Sequence, residues 1–221
     1  MSFPNALEGI KKIYRAEILG LLAEVFAVIA ALLGLIGLVL AAAGGEGSAA
    51  AGFLGAGTLL IISAVLAIIS FILNIIGLNK AKVDEENFKF ALYVVIFGII
   101  GSVVLGFADS DSILHDLGDI ISDISSFLIT FFVCTGIINL ADKLGNKIMK
   151  EKGINARKML LAVWILGIIL AIVSTVFDLA GKSDALAIFG AVIALAAGII
   201  QIIAYILYLK LLSKARTMLE A

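Results

Sequence analysis

A chain of 221 residues that is 62% hydrophobic and only 15% charged, with a mean hydropathy of +1.20, is far from the roughly 25% charged composition of a water-soluble domain. A formal net charge of −1 provides no basic field for nucleic acid. The single cysteine, Cys134, excludes an intrachain disulfide, and the single histidine, His115, excludes a multi-histidine metal site within one chain.

Residues 1–17 read as an interfacial, cytoplasmic N-terminal segment. Pro4-Asn5 opens a helix with Asn5 as its cap, Glu8 lies in the first turn, and Leu7, Ile10 and Ile13 recur at helical spacing. The first span, 18–43, follows Lys11, Lys12 and Arg15 and is longer than a signal-peptide core, so it is expected to be retained. Gly44-Gly45-Glu46-Gly47-Ser48 forms a turn. The second span, 53–78, contains no charged residue and ends in Asn79-Lys80-Ala81-Lys82. At about 1.5 Å per residue such a run crosses a hydrocarbon core of about 30 Å with length to spare.

A polar connection, 80–89, precedes the third span, 90–108, which closes in Asp109-Ser110-Asp111-Ser112. The fourth span, 113–141, begins amphipathically, with Ile113, Leu117, Ile120 and Ile124 opposite Asp116, Asp119 and Asp123. A second polar connection, 142–158, leads to the fifth span, 159–177. Gly181-Lys182-Ser183-Asp184 then turns into the sixth, 185–209, with Ser183 or Asp184 as its cap, followed by a basic cytoplasmic tail, 210–221. The fold class is therefore an all-α integral membrane protein of six transmembrane helices, arranged as three tandem hairpins with short loops.

In this arrangement every lysine and arginine except Lys182 falls on one side, which places both termini in the cytoplasm and the chain in the cell membrane. Lys89, Gly98, Ile99-Ile100 and Asp109 recur at identical spacing as Lys158, Gly167, Ile168-Ile169 and Asp178, an internal repeat that would superpose spans three and four on five and six. Small residues every fourth position, Ala23, Ala27 and Ala31 in span one and Gly190, Ala194 and Gly198 in span six, allow close helix approach in lipid.

Sequence chemistry is sparse. No phosphate-binding loop, dinucleotide turn or His-Glu-x-x-His motif occurs, and no serine near His115 is marked as a nucleophile, so neither catalysis nor a cofactor is expected. Asp109, Asp111, His115, Asp116, Asp119 and Asp123 crowd oxygen ligands into one stretch, a weak candidate for a divalent ion that lacks the glycine and glutamate of an EF-hand. Their simpler reading is a solvated helix face whose carboxylates offset the dipole.

Glu24 is the only acidic residue well inside a span, about 9 Å beyond the start of its apolar part. A carboxyl group at that depth is expected either to face protein or water rather than lipid and meet a polar group at matching depth, Asn74, Gln201 or Tyr205, or else to snorkel to the interface beside Glu17 and Arg15. This favours a component for permeation or transport of a small solute or ion. The alternative is a non-catalytic scaffold, assembly factor or sensor, suggested by short loops and the lack of a soluble domain. The expected partners are the lipid bilayer, with a second copy or another membrane protein as further candidates, and no nucleic acid.

Overall fold

The computed structural model describes residues 2–43, 46–106, 113–180 and 184–220, without the side chains of 46–49, 51, 102–106, 113–119, 170–180 and 184–197. Six helices are present among the described residues: α1 (Pro4–Ala42), α2 (Glu46–Ala81), α3 (Asn87–Gly106), α4 (Ile113–Lys143), α5 (Lys147–Ala180) and α6 (Asp184–Glu220). Four stretches are long and apolar enough to cross a membrane: α1, Gly52–Ala81 of α2, Ile120–Lys143 of α4 and Gly198–Glu220 of α6. Asn87–Gly101 of α3 is a shorter apolar helix.

The chain divides into two compact units, Glu8–Gly77 and Met1–Leu7 with Leu78–Ala221. The first unit is the α1–α2 hairpin. Along α1, Gly9, Ile13, Ala16, Gly20, Ala23, Ala27, Ala30, Gly34 and Gly37 are buried or half-buried and advance by alternating steps of four and three. Along α2 the same steps connect Gly52, Ala56, Leu59, Ser63, Leu66, Ser70, Leu73 and Gly77. This is the heptad rhythm of a coiled coil, built mostly from small residues, so the two backbones come close together.

The serines report the register. Ser63 Oγ donates to Ala23 O at 2.8 Å and Ser70 Oγ to Ala16 O at 2.7 Å, so seven residues along α2 correspond to seven back along α1. The next step brings Gly77 against Gly9, where a Cβ added to Gly77 would lie 2.8 Å from Gly9 O and 3.0 Å from Ile13 N. No larger residue fits there without separating the helices.

In the second unit α3 packs on α4, α4 on α5 and α5 on α6. Phe88, Leu92, Val95, Val133, Ile137, Leu140 and Leu212 are buried, and the Phe127 ring stacks on Trp164 with centroids 4.7 Å apart. Arg157 lies over the Phe131 ring at 5.5 Å and donates to Thr135 Oγ1 at 3.4 Å, fastening α5 to α4.

Three boundaries differ from the sequence expectation. α1 is continuous from Pro4, which occupies the first helical position, so Asn5 is inside the helix and is not its cap. The carboxylate of Asp84 serves instead, accepting from Ala6 N at 2.7 Å and Asn5 Nδ2 at 3.2 Å. Likewise, α2 already begins at Glu46, inside the expected turn.

The third difference is α5, which starts at Lys147 and absorbs most of the polar stretch 142–158. Asn146 N donates to Ala141 O at 2.8 Å and Gly145 N to Asp142 O at 2.9 Å, with Gly145 at φ +68°. That is a Schellman ending for α4. Asn146 Oδ1 then accepts from Met149 N at 3.0 Å and caps α5, so three residues suffice for the reversal.

The packing does not support the internal repeat. Gly98 is buried, with an added Cβ only 2.9 Å from Ser125 Oγ, whereas Gly167 is exposed with open space around it.

Candidate functional site

On one flank of the α1–α2 hairpin the heptad positions leave room. Gly20, Ala23 and Ala27 from α1 and Ala67 from α2 carry so little bulk that a groove of about 350 Å³ opens between the helices, bordered by Phe71. Its polar lining is Glu24, Ser63, Ser70 and Asn74. The groove thus brings together two of the four intramembrane polar residues singled out from the sequence. Counting from the flanking lysines pairs Asn74 with Glu24 by depth alone, and an antiparallel hairpin turns equal depth into proximity.

Each polar group has a definite remaining valence. Ser63 and Ser70 spend their only hydroxyl protons on the Ala23 and Ala16 carbonyls, which leaves their oxygens as acceptors. Asn74 Oδ1 is buried and has no hydrogen-bond donor among the described residues. Glu24 is exposed along the groove, and no described residue forms an ion pair with it. The sequence reading missed the two serines; their signal was a spacing of one heptad within an apolar run.

Gln201 is exposed and Tyr205 half-buried on α6, in the other unit. Asp123 is exposed on α4. His115, Asp116 and Asp119 belong to the first turns of α4, their side chains outside the described residues, as are Asp109 and Asp111 altogether. Among the described residues no three histidine, cysteine or acidic side chains converge in a way that could hold a metal ion.

A second polar assembly was not anticipated. Residues 82–86, between α2 and α3, turn back through bonds such as Glu85 N to Ala81 O at 3.2 Å, and this seats Glu85 at only 6% exposure. Lys143 forms an ion pair with its carboxylate, while Asn139 Nδ2 and Asn87 Nδ2 donate to Oε1 at 2.9 and 2.8 Å. Burial opposes the charge on Glu85, but the hydrogen bonds from Lys143, Asn139 and Asn87 outweigh it and hold the carboxyl below its ordinary 4.5. With Asp84 on the start of α1, this knot gathers the beginning of α1, the α2–α3 turn and the end of α4. Elsewhere in the same unit the nearby Lys152 ammonium, on α5, holds the Lys214 side chain on α6 below its ordinary pKa.

The knot is chemically closed, since each carboxylate oxygen of Glu85 already has a donor. The groove is open. Comparison with protein-family models, with curated proteins and with solved structures finds no match to this chain.

Proposed function

We propose that this chain is a six-span integral membrane protein of the cell membrane, with both termini cytoplasmic, which acts as a component for permeation or transport of a small solute or ion. The observation that carries this reading is the groove. A carboxylate and a buried, donor-less amide oxygen share one cleft with Ser63 and Ser70 in a largely apolar hairpin, and polar groups at such depth are costly unless something is bound or conducted there.

The surface of the hairpin supports its placement in lipid. Val39, Leu54 and Ile61 are 67, 74 and 68% exposed, and none of the most apolar window of α2 is buried. Water does not tolerate an apolar face of that extent on a helix pair. The basic residues at the start of α1, around the α2–α3 and α4–α5 turns and at the end of α6 support the orientation.

The test is flux into proteoliposomes that contain the purified chain. Glu24→Gln preserves shape and removes the charge, so it is expected to keep the helical content and to lower the rate by at least about tenfold, equivalent to about 1.4 kcal/mol on the limiting barrier. A variant with wild-type flux removes Glu24 from any transport role.

A further inference from the structure

The valences in the groove restrict what can occupy it, and we infer that it binds a small monovalent cation, either an alkali ion or a primary ammonium. The inference rests on the groove being a solute site and names the class of solute. Ser63 and Ser70 have committed their hydroxyl protons to the Ala23 and Ala16 carbonyls and present only lone pairs. Asn74 Oδ1 is a buried acceptor without a donor, and Glu24 adds a carboxylate. Four residues that carry oxygen acceptors therefore border the cleft.

An anion placed there would meet the Glu24 charge and those lone pairs. A neutral solute would leave the carboxylate uncompensated among alanines, glycine and Phe71. A divalent ion held by a single carboxylate would carry a net charge into the same apolar surroundings. One positive charge balances Glu24, and hard oxygens are the ligands that alkali and ammonium cations take, the latter through N–H donation to Asn74 and the serines.

The experiment uses the full chain in detergent at constant ionic strength. Thermal unfolding is followed as choline chloride is replaced by sodium, potassium or methylammonium chloride. A saturable rise in Tm with at least one small cation is expected over choline, whose quaternary nitrogen can neither donate an N–H nor bring its charge against the acceptor oxygens. The rise should vanish in Glu24→Gln and shrink in Asn74→Leu. Ala67→Leu, which fills the groove while keeping Glu24, should abolish it too, and this second variant protects the test if Glu24→Gln folds poorly.

A response to sodium or potassium alone identifies an alkali-ion site, and one to methylammonium alone an ammonium site. No rise with any small cation overturns the inference, as does a rise of equal size in Glu24→Gln and Ala67→Leu. Binding without flux in proteoliposomes would uphold the cation site and overturn transport. Flux of a neutral or anionic solute that depends on Glu24, without cation binding, would do the reverse.

Discussion

Glu85 shows how a charged side chain is made cheap to bury. Removing it from water raises the cost of ionisation, yet three donors on two oxygens reverse the balance. Because its pKa in the folded protein is depressed, its contribution to stability is complete above the ordinary glutamate range. It is lost as pH falls through the folded value. The difference in Tm between the wild type and Glu85→Gln should therefore stay constant above about pH 5 and shrink on acidification below it. Glu85→Ala should cost about 1–3 kcal/mol in denaturant unfolding at neutral pH, since it strands the Asn139 and Asn87 amides while Lys143, half in solvent, can turn to water. A pH-independent difference would mean that the carboxylate is not what those donors hold. The sequence offered no hint of this site: Asp84 and Glu85 look like any polar connection, and apart from Asn87 their side-chain partners are more than fifty residues away.

At the scale of elements, the helices were legible and their contact faces only partly so. Apolar run length located all six, because a long helix needs little more than the absence of breakers and charge. The stripe Ala23, Ala27 and Ala31 was read at a constant step of four, but Ala31 is exposed and the true seam alternates four and three. The start of α5 lies in a polar stretch, yet Met149, Gly153 and Ala156 are buried at helical spacing and Gly145-Asn146 spells a helix end followed by a cap. The hairpin seam makes a paired prediction. Gly77→Ala forces a Cβ against backbone atoms of α1 and should destabilise by about 1–3 kcal/mol. Gly57→Ala, exposed and in open space, should be neutral or stabilising by up to about 1 kcal/mol, because alanine is the better helix former. Thermal unfolding of both in one detergent checks the contrast. Equal effects would mean that the two helices do not meet at Gly77.

For the whole molecule, the polar contacts constrain topology more tightly than hydropathy does. Groups that are hydrogen-bonded to each other lie on the same side of a membrane, so the chain between them crosses it an even number of times. Asn5 and Ala6 bond Asp84, which makes the crossings of α1 and α2 even. Glu85 bonds Lys143, which imposes the same parity on α3 with α4. By length and composition, α4 and α6 each qualify as a span, whereas only the shorter apolar stretch Asn87–Gly101 is found in α3. In the proposed membrane placement that parity has α3 cross together with α4, in keeping with the proposal of six spans with every basic turn on one side. In a Cys134→Ala background, Lys82→Cys and Lys150→Cys should resist an impermeant maleimide applied to intact cells and react after permeabilisation. Glu46→Cys, at the start of α2, should react directly. Labelling of Lys82→Cys and Lys150→Cys on opposite sides would break the parity between α3 and α4, and with it the six-span arrangement; labelling of both from outside would keep the parity and invert the orientation.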